Sequence, residues 1–222
     1  MTAQTRERST TTTPTSSREL RISRDERVFF GGRTGSGKTT LADRLIRKLG
    51  YRTVVIDPKH SWDYPGYVRS QRYDHHPETL RQVFRPRDDA DDGWADLVDY
   101  LGDVWGYDVP TVVYIDELTS VTTSRRAPRV LATLVRLGRQ RGFGTWYASQ
   151  RPKDVPSLFF TEAEHWCVFD LLTQDDRDKV AGYMGDTVRD RLYEQYAFWY
   201  MAPHMRDPLL VHQRQPSSRN GG

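Results

Sequence analysis

Gly32, Gly37, Lys38 and Thr39 stand at the spacing Gly-x-x-x-x-Gly-Lys-Thr. Glycines at those positions let the backbone turn tightly and aim several N–H groups at one anion. A helix starting there adds the positive end of its dipole. In such a loop the lysine reaches the outer phosphates of a nucleoside triphosphate, and the next hydroxyl reaches Mg²⁺. The pattern assigns Gly32, Arg33, Thr34, Gly35, Ser36, Gly37, Lys38, Thr39 and Thr40 to the nucleotide. Val28, Phe29 and Phe30 precede the loop as an apolar run and an amphipathic segment follows it, the strand–loop–helix context the motif requires.

A second constellation lies downstream, where Val112, Val113, Tyr114 and Ile115 run into Asp116 and Glu117. This is a Walker B pattern. A carboxylate at the C-terminal end of a sheet strand lies beside the phosphate loop. Asp116 is therefore expected to hold Mg²⁺, directly or through water, and Glu117 to polarise an attacking water. The second carboxylate favours ATP hydrolysis over phosphoryl transfer to a metabolite. The Asn-Lys-x-Asp that reads guanine is absent from the sequence. Gln150, at the tip of the following apolar run, can orient that water or the γ-phosphate without consuming a proton.

The elements that must position these residues follow from spacing. Leu41, Leu45 and Leu49 predict a helix stopped by Gly50. Residues 53–57 and 111–117 are short β-branched apolar runs, the signature of strands buried on both faces of a parallel sheet. Further strands are expected at 145–150 and 165–171, and antiparallel closing edge strands at 197–201 and 209–211. Residues 61–73 read as a loop, and Pro77 as the start of a short helix closing before Pro86. Trp94, Leu97, Val98, Leu101, Val104 and Trp105 keep helical spacing, their tryptophans being core residues or, alternatively, base-stacking ones. A helix is predicted from Pro128 to Arg141, with Val130, Leu131, Leu134, Val135 and Leu137 facing inward. Thr173 and Asp176 cap a helix running to Met184. Asp186 starts another, with Val188, Leu192, Tyr193 and Tyr196 on one side. Alternating strands and helices predict a three-layer, doubly wound α/β fold with a mostly parallel sheet and antiparallel C-terminal edge strands.

Composition bounds the rest. The chain has 222 residues, 36% hydrophobic and 28% charged, with a single cysteine, Cys167. One domain of residues 20–212 is expected, flanked by Thr/Ser-rich or polar disordered tails at 1–18 and 213–222. No apolar run approaches the ~20 residues that span a bilayer, and a reducing cytoplasm suits the cysteine usage. Charge is unevenly spread. Asp88 to Glu117 holds ten acidic residues and no Lys or Arg; Val121 to Lys153 holds eight basic residues and no acidic one. Such a block is either a surface that meets phosphates or a solvated basic face.

Four segments together resemble the FtsK–HerA superfamily of DNA-pumping ATPases: residues 32–40; Val54 to Lys59, ending Ile-Asp-Pro-Lys; residues 112–117; and Leu137 to Gly142 leading into Ala148, Ser149, Gln150, Arg151 and Pro152. The compact chain is most similar to the genome-packaging ATPases of tailless double-stranded DNA viruses. The resemblance implies a homo-oligomeric ring, usually a hexamer, with ATP at subunit interfaces, duplex DNA in the channel, and capsid or portal-vertex partners. It places the protein in the host cytoplasm or at a packaging vertex. It also implies a trans-acting arginine near the end of the helix before the sensor strand. Arg139 matches, Arg141 is the second candidate, and contact with DNA phosphate is the alternative role for Arg139. Arg125, Arg126 and Arg129 are expected to contact the DNA backbone. Plasmid or conjugative DNA transfer, and filamentous-phage assembly by a zonula-occludens-toxin-like ATPase, are alternative readings. The stretch at 60–75 and the acidic helix after it have no counterpart in the resemblance.

Overall fold

The computed structural model describes residues 21–70, 79–86, 90–106 and 109–213. The tail expected at 1–18, and all but the first residue of the one at 213–222, lie outside the described residues. The strands are β1 (Val28–Gly31), β2 (Thr53–Ile56), β3 (Val68–Ser70), β4 (Arg81–Phe84), β5 (Val112–Ile115), β6 (Gly144–Ser149), β7 (His165–Val168), β8 (Phe198–Met201) and β9 (Leu209–Val211). The helices are α1 (Lys38–Leu49), α2 (Ala90–Trp105), α3 (Arg129–Leu137), α4 (Ser157–Thr161) and α5 (Gln174–Met184).

The strands form one nine-stranded sheet in the order β3-β4-β2-β5-β6-β1-β7-β8-β9. All pairings from β3 to β7 are parallel, and β8 and β9 add antiparallel edges. Alternate side chains of each strand point to opposite faces, so continuous apolar strands must be covered on both. Phe29, Ile56, Ile115 and Tyr147 face a core completed by Leu97, Leu101, Leu131, Leu134 and Val180 from α2, α3 and α5. Phe30, Val55, Tyr114 and Trp146 face the other way, onto Leu41 and Ile46 of α1, with Trp62 beside them. The expected three-layer, mostly parallel α/β fold is the observed one.

Tight packing fixes β6 at its start. A Cβ on Gly144 would lie 2.0 Å from the Arg24 carbonyl oxygen, so no other residue fits. The Arg24 segment is itself tied down: Arg27 bonds Glu164 at 3.2 Å and Glu26 bonds the buried His165 at 2.9 Å. His165 passes its other ring nitrogen to the Tyr200 hydroxyl at 2.8 Å, joining β7 to β8.

Four local expectations are corrected. Residues 61–73 are not all loop, because Val68–Ser70 forms β3. Residues 81–84 are not the end of a helix but the strand β4, parallel to β2. Four residues are too few for periodicity to separate helix from strand, and the buried Gln82 disguises the run; its amide oxygen accepts from Ser70 at 3.3 Å. α3 ends at Leu137, which is 46% exposed, and a 3₁₀ turn carries the chain over Gly138–Arg141. The helix expected from Asp186 is one 3₁₀ turn to Arg189, after which the chain is extended and Tyr193 is 85% exposed. The capped helix after Thr173 forms as expected, Thr173 accepting the Asp176 N–H at 3.3 Å. Leu97, Leu101 and Val104 of α2 are core, as is most of Trp105; the Trp94 side chain lies outside what is described.

Candidate functional site

The loop between β1 and α1 crosses the C-terminal end of the sheet. The Gly32 N–H donates to the Ser149 carbonyl at 3.2 Å and the Arg33 N–H to the Asp170 carbonyl at 2.9 Å, pinning the loop to both neighbouring strands. Gly37 opens α1 with φ 107, a conformation that side-chain-bearing residues rarely adopt. Lys38 folds back over the loop, its Nζ donating to the Gly32 carbonyl at 2.7 Å and the Arg33 carbonyl at 3.1 Å. Burial lowers the Lys38 pKa to about 8; the carboxylates of Glu117 and Asp116 oppose the shift and Lys59 adds to it. The ammonium is therefore held at a cost that an arriving polyphosphate removes.

Asp116 and Glu117 follow β5, two strands away from β1. Thr39 Oγ1 donates to Asp116 Oδ1 at 3.1 Å, and the buried Tyr114 hydroxyl donates to the same oxygen at 2.9 Å. Burial raises the Asp116 pKa despite these two bonds, so a cation nearby would favour its charged form. A hydroxyl and a carboxylate oxygen this close are hard donors of the kind Mg²⁺ takes. The observed pair thus fits the ion expected from the sequence.

Glu117 is held on all sides. Its Oε1 accepts from Thr119 Oγ1 at 2.6 Å, from the Gln150 N–H at 3.2 Å and from Ser149 Oγ at 3.4 Å, while Oε2 meets Lys59 Nζ at 2.9 Å. Burial pushes its pKa up, but the bonds from Thr119 and Lys59 and the Gln150 N–H outweigh that and hold it below the usual carboxylate range. Its backbone has φ 83, strained for a residue with a side chain, which fixes where the carboxylate points. Gln150 turns its amide oxygen to Thr34 Oγ1 at 2.6 Å, closing the site across the loop.

Thr34, Gly35, Lys38, Thr39, Lys59, Ser61, Asp116, Glu117 and Gln150 line one cavity of about 330 Å³. On the other side of the loop a second cavity, about 260 Å³, shares Thr34 and Gly35 and is bounded by Arg33, Ser36, Asp170 and the strap of residues 192–197. Asp170 anchors this side, taking two bonds from Arg191 (2.6 and 2.8 Å) and one from Arg33 at 3.1 Å. Ser36, only 7% exposed, has a hydroxyl with no hydrogen-bond partner among the described residues. Thr40 faces elsewhere, towards the Tyr64 hydroxyl at 3.3 Å.

Two cavities on either side of a glycine loop, with paired carboxylates and an amide in one of them, make a nucleotide site, and residues 28–159 match the model of the ATPase family associated with various cellular activities, AAA. The chain belongs to the AAA family. Among solved structures, this AAA ATPase is similar to the genome-packaging NTPase B204 of Sulfolobus turreted icosahedral virus 2 in complex with AMP. That match has a TM-score of 0.69 at 16% identity, over 87% of this chain and 100% of that one. It is also similar to the pCW3 conjugation coupling protein TcpA (TM-score 0.57, 18% identity, 84% of this chain and 59% of that one). The cytoplasmic domain of the Thermomonospora curvata Type VII secretion ATPase EccC matches with TM-score 0.60 at 15% identity, over 87% of this chain and 24% of that one. At these identities the likeness is one of fold. No curated protein sequence matches the chain. Among the described residues no helix is long and apolar enough to cross a membrane.

The AAA site gathers Lys38, Thr39, Asp116, Glu117 and Gln150 at the C-terminal end of the sheet, and leaves Arg139 at the other end. Arg139 follows α3 and pairs with Glu164 at 2.6 Å and Asp25 at 3.4 Å, residues that precede β7 and β1. It therefore does not touch the cavity lined by Lys38 and Glu117. Arg141 lies over the Trp105 ring at 4.5 Å. Arg125 and Arg126 are exposed on the stretch between the 3₁₀ turn Leu118–Ser120 and α3, and Arg129 is exposed as the first residue of α3. Two groups escaped assignment from sequence. Lys59 was visible only as part of an Asp-Pro-Lys ending, although a cation directly after the strand beside β5 could have been aimed at Glu117. The strap with Arg191 and Asp170 joins positions 21 residues apart, a spacing that carries no periodic signal.

Proposed function

We propose that this AAA ATPase is a motor that translocates double-stranded DNA, packaging a viral genome into a preformed capsid. The observation that carries the reading is the direct succession of Glu117, the 3₁₀ turn Leu118–Ser120 and the exposed arginines 125, 126 and 129. Thr119, inside that turn, donates to the Glu117 carboxylate at 2.6 Å, so a phosphate-seeking surface and the residue that polarises water share one short segment. Contacts from these arginines to the DNA backbone would be independent of base sequence and sensitive to salt.

In this reading the triphosphate lies in the cavity with Lys38 and Gln150, and the nucleoside in the cavity walled by Tyr193 and Tyr196. Thr39 and Asp116 would hold Mg²⁺, which would supply positive charge against the negative charge that develops on the phosphates. Glu117 orients a water and accepts its proton as the water oxygen bonds the γ-phosphorus and the bridge to the β-phosphate breaks. Gln150 holds the water in line. Arg139 completes the site of a neighbouring subunit in a ring.

Linear duplex DNA is expected to raise ATP turnover severalfold, and Arg125→Glu/Arg126→Glu/Arg129→Glu to remove that stimulation while leaving DNA-independent hydrolysis in place. The salt slope of DNA binding should fall by about one unit for every phosphate that the substituted arginines no longer neutralise. Turnover indifferent to DNA in the unmodified protein would overturn the motor reading. Separately, Tyr193→Ala is expected to weaken ATP binding about fivefold, the scale of a single aromatic–base stack, and to leave inorganic tripolyphosphate binding unchanged. Equal effects on both ligands would place the nucleoside elsewhere.

A further inference from the structure

Lys59 reaches the phosphate cavity from a turn built for rigidity. The buried Asp57 carboxylate accepts the Ser61 N–H at 3.0 Å, the Trp62 N–H at 2.9 Å and the Arg85 guanidinium at 2.8 Å. Those bonds close the turn on both sides of Pro58 and Lys59, and Trp62 is locked into the core beneath it. The Lys59 ammonium thus arrives in a defined place. It sits 2.9 Å from Glu117 Oε2, with a side chain 39% exposed at the cavity mouth, against 6% for Glu117. It is also near enough to Lys38 to make that ammonium harder to charge.

Two features of this arrangement ask for a ligand. Two ammonium groups converge on one cavity whose carboxylates, Asp116 and Glu117, are already engaged by Thr39, Tyr114, Thr119 and Lys59. And Glu117 Oε2, the oxygen not engaged by Thr119, Ser149 or the Gln150 N–H, carries the Lys59 ammonium, so a water approaching that oxygen meets a cation already in place. Of those partners Thr119, Ser149 and the Gln150 N–H belong to its own turn or to the adjacent strand end. Lys59 is the partner with a long, flexible stem and an exposed head.

We propose that Lys59 is a second cation of the terminal-phosphate site. In the empty site it holds Glu117 by an ion pair, and when ATP enters it passes to the γ-phosphate and releases the carboxylate for water. ADP, lacking that phosphate, leaves the ion pair in place. Lys59 would then make the empty and product-bound states inert and tie the readiness of Glu117 to the phosphate that is about to be cleaved. The inference rests on the reading that this cavity takes the γ-phosphate.

The test compares the affinities of ATPγS and ADP, measured by calorimetry on the full chain, for wild type, Lys59→Met and Lys59→Arg. Lys59→Met should lower ATPγS affinity about tenfold or more, the scale of one hydrogen bond between charged groups, and leave ADP affinity unchanged. Lys59→Arg should restore most of the discrimination. Glu117→Gln should tighten ATPγS, because the lysine no longer has to leave a carboxylate, and Lys59→Met added to it should abolish that gain. If the wild type prefers ATPγS over ADP and Lys59→Met weakens both ligands alike, or neither, the proposal is wrong. If the wild type binds ATPγS no better than ADP, the assignment of the cavity to the γ-phosphate is what fails.

Discussion

Glu117→Gln is expected to lower the turnover of ATP by a factor on the order of 10²–10⁴, the usual contribution of a positioned base, while ATP remains bound. The geometry makes this a clean substitution. The amide oxygen of glutamine can still accept from Thr119 and the Gln150 N–H, which hold Oε1 at 2.6 and 3.2 Å. The strained backbone at φ 83 is unchanged, because both residues carry the same branching at Cβ. What disappears is the negative charge, and with it the capacity to accept a proton and the repulsion felt by an incoming phosphate. Single-turnover hydrolysis and equilibrium binding separate the two consequences. A variant that hydrolyses ATP within threefold of wild type would show that another group serves as base.

Arg139→Ala is expected to lower turnover by on the order of 10³ or more, because a guanidinium supplied to a phosphoryl-transfer site is worth ~10³–10⁵. The decisive readout is complementation. Arg139 lies at the opposite end of the sheet from its own Glu117, held by Glu164 and Asp25, and cannot serve that site. In a ring, a subunit carrying Arg139→Ala still offers an intact Glu117, and a neighbour carrying Glu117→Gln still offers an intact arginine. Mixing the two inactive variants should therefore restore activity at about a quarter of the interfaces, as random head-to-tail assembly dictates. Failure of the mixture to recover activity would leave Arg139 a structural or DNA-binding residue. Its ion pairs are half-exposed, 53% on the arginine side, so the loss of stability should stay within about 1 kcal/mol, and Arg27 remains to partner Glu164.

The parts of the molecule that were legible in the sequence are those where one local rule sufficed. The glycine loop declares itself because residues with side chains rarely adopt the turn at Gly37, and β2, β5 and β6 because strands covered on both faces must be apolar throughout. From those strands the meeting of Lys38, Thr39, Asp116, Glu117 and Gln150 follows, since parallel strands deliver their ends to one edge. The parts that were not legible depend on distant partners. β4 is a strand because β2 offers it an edge, and nothing inside Arg81, Gln82, Val83 and Phe84 demands that. Residues 190–197 remain outside a helix because Arg191 is drawn to Asp170, and Tyr196 lies against Gly37, where a Cβ would come within 3.1 Å of its ring. Lys59 is the most consequential case: its motif was visible, its partner was not, because an ion pair across two strands leaves no trace in spacing.

The position of β6 has a consequence for timing. This strand ends at Ser149, next to Gln150, and begins at Gly144, clamped against Arg24 and three residues after the 3₁₀ turn that carries Arg139. Six residues of extended chain span about 20 Å, and this strand is braced on both sides by its pairing with β5 and β1. In a ring, the group that senses a subunit's own nucleotide and the group that fires the next subunit's nucleotide would be the two ends of one rod. A change in occupancy at one site would then be felt next door as a displacement along that rod, giving the subunits an order of firing without any separate messenger.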